Sequence, residues 1–484
     1  MECKSLSRRK FLQWSLLAAG ASALSACGAT PTPQAEPTTA EEPAATEAVA
    51  TAAPPQTGEK VEVRFSMWEW YAYASAPVRW DEWNQKEAFP KFQDDNPNIT
   101  VSWEPPPDDF AVVLTQMAAG TAADIISVWE PSMTVWAEKG QLVDLQPFVD
   151  RDIPNADDIY LELAWKQMWN PFLNMRMAML ADLDITSIYY NKTAFGEANV
   201  PLPTVDWTID DYVEAAVKLT KEDDAGNITR WGSEIRGGFW DGYLMWVRAF
   251  GNKVRDDETQ MKCLLDQAEA IEGLEWIRKG MYELNCFAQP NQMGGTGLPN
   301  TWTGAVPAGI LAMAERSADQ FFSMADSVKD FEWDIAHVPK TPRGRSCMGL
   351  PDQWVMYKGA IEQGKKEQVW SFLKFLAGDW YQEKVASVAG RIPCLKTVVA
   401  EWANILRKID GRLEKVRLET LTEQMDMGYP EGVPMFRFQA VASEIINPAM
   451  EQIFVEGKVD ANIMKEIAPQ VTEAQQKALA EQGG

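Results

Sequence analysis

The chain is almost without histidine. His337 is the single one in 484 residues, so an imidazole-centred triad or a His-rich metal site has one residue to draw on, and a structural role is the simplest reading of it. No Gly-x-Ser-x-Gly elbow, phosphate-cradling glycine loop or His-Glu-x-x-His helix is present either. Cysteine is sparse. Of six, Cys263, Cys286, Cys347 and Cys394 lie beyond the N-terminal leader, and four thiols allow three pairings as readily as free buried thiols. Basic residues are outnumbered, 45 Lys and Arg against 70 Asp and Glu, for a formal charge of −25. With no basic patch or stripe to offset it, that balance argues against a nucleic-acid face and against an electrostatic hold on anionic lipid. Past the leader, no apolar run is long enough to span a bilayer.

What is present begins at the N-terminus. Ser7-Arg8-Arg9-Lys10-Phe11-Leu12 precedes an apolar run from Trp14 to Leu24, closed by Leu24-Ser25-Ala26-Cys27. A cationic segment, a short hydrophobic core and a small-residue cleavage site are the parts of an export signal. The Arg-Arg pair with Phe11 and Leu12 resembles the twin-arginine type, and Leu24–Cys27 resembles a lipobox. Residues 1–26 are therefore expected to be a signal peptide, with Cys27 lipidated and holding the protein on the outer face of the cell membrane. Gly28 to Gly58 carries six prolines and no aromatic residue, a composition that cannot offset its ordering entropy. As a flexible tether, residues 27–58 reach about 30 Å. Folded structure is expected from Glu59.

The remaining ~425 residues exceed one typical core, so two domains are expected. Val61–Trp68, Ile99–Glu104, Asp124–Trp129 and Ile185–Tyr190 read as strands. Trp83–Gln93 (kinked at Pro90), Phe110–Ala119 and the segment from Pro131 to Gly140 read as helices. Asp210–Thr220 is an amphipathic helix capped by Thr208 with Asp211. Thr303–Met324 reads as a helix, Trp333–Pro339 as a strand, Gln368–Leu376 as a helix, and the last ~95 residues as mainly helical. Strands alternating with helices predict an α/β architecture with largely parallel sheets, and ligands in such folds sit at the carboxyl ends of strands.

Several segments together resemble the family 1 extracellular solute-binding proteins of ABC importers, the carbohydrate binders similar to maltose-binding protein. These are Leu114–Ile126 (a helix, Gly120, Asp124 and a strand), Ile188-Tyr189-Tyr190-Asn191-Lys192, Thr204–Thr208 with Lys218-Leu219-Thr220, and Gly390-Arg391-Ile392-Pro393, in family order along residues 59–484. Ala122-Ala123 stands where the family more often has proline before the aspartate. The resemblance implies a two-lobe periplasmic-binding-protein-like fold, each lobe a mostly parallel sheet flanked by helices, with a ligand cleft between lobes. Lobe I is placed at 59–183 and 304–380, lobe II at 184–303 and 381–484. It further implies a monomer that captures a solute, most simply an oligosaccharide, and passes it to ABC permease subunits without cofactor, metal or catalysis.

Twenty-one tryptophans ask for an account. Packing explains most of them, Trp80, Trp136, Trp276, Trp370 and Trp402 included. An indole at a strand tip can instead stack on the apolar face of a pyranose while planar polar groups meet the hydroxyls. On that argument the ligand contacts expected are Trp68, Trp70, Trp129 and Glu130 from lobe I, and Phe239, Trp240 and Asp241 from lobe II. Asp352 and Trp354 are added from a glycine-rich turn at Gly349–Trp354 that resembles a cleft-facing turn of the family, and Arg391, whose guanidinium can hold two hydroxyls. Arg316 is a weaker candidate. Alternatives are the same fold holding a glycerol phosphate, polyamine or peptide, and a secreted glycoside hydrolase. For the hydrolase, seventy acidic residues make a carboxylate pair too easy to find to carry weight.

Overall fold

A computed structural model describes residues 60–67, 79–107, 110–128, 130–235, 239–293 and 305–482. The expected signal peptide, the tether and Cys27 lie outside them, as do Trp68, Trp70 and Trp129. The main sheet has eight strands, labelled here in chain order: β1 (Val61–Ser66), β2 (Ile99–Glu104), β3 (Ile125–Val128), β4 (Met179–Asn191), β5 (Met313–Ser317), β6 (Trp333–Ala336), β7 (Cys347–Met356) and β8 (Pro430–Glu431). Their order is β5-β4-β7-β3-β1-β2, with β6 also pairing β4 and β8 also pairing β7. Many helices surround the sheet, and none among the described residues is long and apolar enough to cross a membrane.

The pairings are mixed. β1 runs parallel to β2 and β3, as the alternation of strands and helices predicts. The long strands β4 and β7 are antiparallel to each other, and β4 is antiparallel to β5 and β6. β4 is 13 residues long, about 43 Å at 3.3 Å per residue, and it serves two neighbourhoods. Its first half, Met179–Ile185, pairs with β7. Its second half, from Thr186, pairs with β5 and β6. The sheet therefore passes continuously from one half of the molecule to the other instead of forming two separate sheets. Residues 313–317 and 333–336 pair with the far half of β4. Further along the chain, Tyr381 donates to Asn84 Oδ1 at 2.8 Å, and Trp402 packs on Phe321.

Local chemistry explains the elements. Asp124, buried ahead of β3, accepts the Arg64 N–H at 2.8 Å and pairs with Lys365 at 2.8 Å. It thereby registers β3 beside β1 with alanine, not proline, before it. The helix Ile209–Leu219 starts on a complete capping box, Asp211 N–H to Thr208 and Thr208 N–H to Asp211. Around Pro90 the helix changes pitch: Trp80–Trp83 is α, Asn84–Ala88 is π and Phe89–Asp95 is α. A wide turn ahead of a residue with no N–H and a bulky ring is the usual accommodation.

Two expectations are corrected. Thr303–Met324 is not one helix. Its described part runs through turns into β5, then a 3-10 turn and the helix Phe321–Ser327. Pro307 and a left-handed Gly309 break the helical pattern, and pairing with β4 overrides the helix propensity of Met313-Ala314-Glu315-Arg316. Gly349–Trp354 is not a turn but the interior of β7. Gly349 is needed there because a Cβ would lie 2.6 Å from Leu163 Cδ2 and 3.0 Å from Pro430 Cβ.

Tryptophan is mostly packing. Trp80 stacks on Trp83 at 4.7 Å beside Tyr381 and Trp380, while Tyr212, Trp246, Trp276 and Phe287 form a second aromatic core. Each such ring buries enough area to contribute roughly 1.5–3 kcal/mol. Cys263, Cys286, Cys347 and Cys394 are free, buried thiols.

Candidate functional site

A cavity of about 520 Å³ opens between segments far apart in sequence. One wall comes from the helix Glu130–Glu138 and the hairpin around residues 169–177, the other from Arg255, Gln260 and residues 433–438. The hairpin is fixed by Asn170, whose Oδ1 accepts the N–H groups of Phe172 and Leu173, both at 3.0 Å. That presents Trp169 and Phe172, both half-buried, to the cavity. The opposite wall is pinned three times. Gln439 accepts the Phe436 N–H at 2.9 Å, and Gln475 both accepts from Phe438 N–H at 2.9 Å and donates to its carbonyl at 2.8 Å. Arg255 donates to the Met435 carbonyl and to the Asp256 carbonyl. The aromatic–Arg–aromatic run Phe436-Arg437-Phe438 is thus held rigid without being part of a helix.

Charge inside the cavity is distinctive. Arg437 lies with its guanidinium carbon 4.8 Å from the Phe172 ring centroid and 5.7 Å from that of Phe438, a stack joining the two walls. Glu138, the one carboxylate on the lining among the described residues, has its carboxyl raised to about 7 by burial, against the opposing charges of Lys139 and Arg437. The cavity continues into a second space of about 720 Å³ that shares Lys166, Trp169, Pro171 and Gln260 with it. There Arg176 lies 3.5 Å over Trp165. Its guanidinium is lowered to about 10 by burial and is tied to Gln146 and the Trp165 carbonyl. Together they form an elongated trough.

The residues expected from sequence fall into three groups. Glu130 begins the helix that forms one wall, and Phe239, Trp240 and Asp241 lie on the π-turn Phe239–Tyr243 leading into Leu244–Ala249, not in an open loop. Trp240 is 8 % exposed and meets Phe436 edge to face at 6.2 Å, which puts it directly behind the cavity wall. Asp352 and Arg391 come together elsewhere, at the antiparallel pairing of β4 and β7. Arg391, 3 % exposed, donates to Asp182 at 3.0 Å and to Asp352 at 2.7 Å and lies 3.2 Å from Asp184. Asp352 and Asp182 are register partners, and the register slips immediately after Asp352, the kind of irregularity that re-aims a side chain. Trp354 is a core residue and not a cleft wall: it is 1 % exposed and packs on Phe65 at 5.1 Å, because β7 is an interior strand with neighbours on both sides. Arg316 is buried against Glu234 at 2.8 Å. His337 is buried, bonded to Glu423 at 2.9 Å, and burial holds its imidazole below its ordinary value, which fits a structural role.

Sequence reasoning missed Glu138, Trp169, Phe172, Arg255, Phe436, Arg437 and Phe438. The signal available was Pro434-Met435-Phe436-Arg437-Phe438, two aromatics about an arginine just after Gly432, inside a region read only as helical.

The family model for bacterial extracellular solute-binding proteins matches residues 79–383. No curated protein matches the chain in sequence. Among solved structures, the ABC substrate-binding protein Lmo0181 from Listeria monocytogenes, in complex with cycloalternan, is similar with a TM-score of 0.70 at 20 % identity, over 87 % of this chain and 100 % of that one. UgpB from Mycobacterium tuberculosis, in complex with glycerophosphocholine, gives 0.67 at 16 % identity, over 89 % and 100 %. T. maritima MalE3 with maltose gives 0.64 at 17 % identity, over 86 % and 100 %.

Proposed function

Because the chain belongs to the bacterial extracellular solute-binding protein family, we propose that it captures a carbohydrate, most simply an oligosaccharide, in the trough between its two halves and delivers it to an ABC importer permease. The observation that carries this reading is the trough's composition. Trp169, Phe172, Phe436 and Phe438 offer flat apolar faces, while Gln260, Glu138 and Arg437 offer planar polar edges. That combination suits a ring with an apolar C–H face and a hydroxylated rim. The expected contacts Trp68, Trp70, Trp129 and Glu130 belong to this proposal as further stacking and polar partners on the first half, and Phe239 and Asp241 on the second, where Trp240 backs Phe436 from behind the wall. Asp352, Arg391 and Trp354 are proposed instead to set the paired strands on which the halves move. Binding then biases a hinge equilibrium toward a closed form that the permease reads. The Arg-Arg signal and Cys27 support export and lipid anchoring of a monomer that turns nothing over.

The test is a thermal melt against mono- and oligosaccharides, with glycerophosphocholine and spermidine as controls. A ligand at about 100 times its Kd adds about 2.7 kcal/mol. Stabilisation by a saccharide class supports the reading. Stabilisation by a control alone replaces it with the non-sugar alternative, which the relative bound to glycerophosphocholine favours.

A further inference from the structure

Resting on the saccharide-binding reading, we propose that the captured saccharide is acidic: a uronate-type carboxylate of the sugar docks on the Arg437 guanidinium, between the rings of Phe172 and Phe438. The sign of the charge reverses at the cavity. On a chain of formal charge −25, the charged side chains lining the first cavity, among the described residues, are Lys166, Arg255 and Arg437 against Glu138, while the adjoining space adds Arg176 with Asp157 and Glu162.

The three cations of the first cavity are not equivalent. Lys166 is exposed at the rim and paired with Glu162. Arg255 is spent on the Met435 and Asp256 carbonyls, with Asp257 at 3.8 Å, and it positions the wall. Arg437 makes no ion pair with a carboxylate among the described residues. It is held by its rings, and its own N–H donates to the Gln260 carbonyl at 2.9 Å. A guanidinium placed over aromatic rings and without a carboxylate partner has N–H groups left for a planar acceptor, and a carboxylate can meet them with two parallel hydrogen bonds.

The nearby acids do not compete. Asp256 accepts from Thr259 N–H at 2.6 Å, Thr259 hydroxyl at 2.9 Å, Met261 N–H at 3.1 Å and Lys262 N–H at 2.7 Å. Asp257 holds Lys253 at 2.6 Å. Glu138 lies near enough to repel an anion, yet burial leaves it about half protonated near neutral pH, and a protonated carboxyl donates to a carboxylate. A vicinal diol would also meet the Arg437 edge, but it would leave the charge of a half-buried cation uncompensated.

The test is calorimetric titration of the protein with trimers of galacturonate, guluronate and glucuronate, each beside its methyl ester, and with the Arg437→Gln and Arg437→Lys variants. For at least one pair, the acid should bind about tenfold or more tighter than its ester. Arg437→Gln should bring the two together, and Arg437→Lys should keep part of the preference. Equal or tighter binding of the esters, or binding of neutral sugars only, overturns the acidic assignment and leaves the saccharide reading standing. A variant that loses acid and ester alike overturns the role of Arg437. If no saccharide of either kind binds, the saccharide reading fails and this inference fails with it.

Discussion

Arg391→Met is the sharpest probe of how the two halves are joined. Arg391 is 3 % exposed and meets three carboxylates, Asp182 and Asp184 from β4 and Asp352 from β7, at 2.7–3.2 Å. Methionine fills much of the aliphatic volume, so the packing loss is small and the electrostatic loss dominates. Each charge-assisted hydrogen bond to a buried carboxylate is worth about 1.5–3 kcal/mol, and two are made. Removing one member of a buried ion pair costs about 3–5 kcal/mol, because the group left behind stays desolvated without its counter-charge. The expected loss is therefore about 3–5 kcal/mol in urea unfolding followed by tryptophan fluorescence. The midpoint should move and the slope should not. Adding Asp352→Asn removes one stranded charge and should restore about 1–2 kcal/mol, a coupling readable from the double-mutant cycle. A single-variant loss below about 1 kcal/mol, or a double variant no better than Arg391→Met, refutes the account of this cluster as a buried charge set.

Two further outcomes follow from burial. Trp354→Ala removes a core indole packed on Phe65 and should cost about 3–5 kcal/mol of stability, while the folded fraction binds ligand with unchanged affinity in a titration. An affinity loss without destabilisation would return Trp354 to the cleft wall. Glu138 has its carboxyl raised from 4.5 to about 7 by burial, so between those values the native state holds more protons than the unfolded one and stability falls as pH rises. Glu138→Gln removes that slope: relative to the parent it should gain roughly 1–2 kcal/mol at pH 8.5, after discounting a half-buried group, and little at pH 5. Parallel pH profiles for the two proteins would contradict it.

Much of the fold was legible because its signals are local. The alternation of Val61–Phe65, the Thr208/Asp211 box and the glycine stops at Gly120 and Gly140 each report a few residues, and each element forms where it was read. The failures share a different cause. Met313–Ser317 carries helix formers but is buried on both faces between β4 and its surroundings, so pairing decided against propensity. Gly349 looked like a turn residue and is a contact residue, chosen because Leu163 and Pro430 leave no room for a side chain. The place of residues 313–336 in the sheet is likewise set at a distance, by pairing with the far end of β4.

The site divides along the same line. Indoles at strand ends can be proposed from sequence because strand ends can be found there; Trp240, on a π-turn, packs on Phe436 of the cavity wall. Charge cannot be apportioned that way. Arg391 and Arg437 are each one arginine in a short loop-like run, and the aromatics flanking Arg437 do not by themselves say what its charge meets. The difference is made by partners more than 200 residues distant: Asp182 neutralises Arg391, whereas Phe172 faces Arg437 with a ring that takes no charge. An arginine surrounded by carboxylates is a structural cation, and one stacked on rings keeps its edge for an anion.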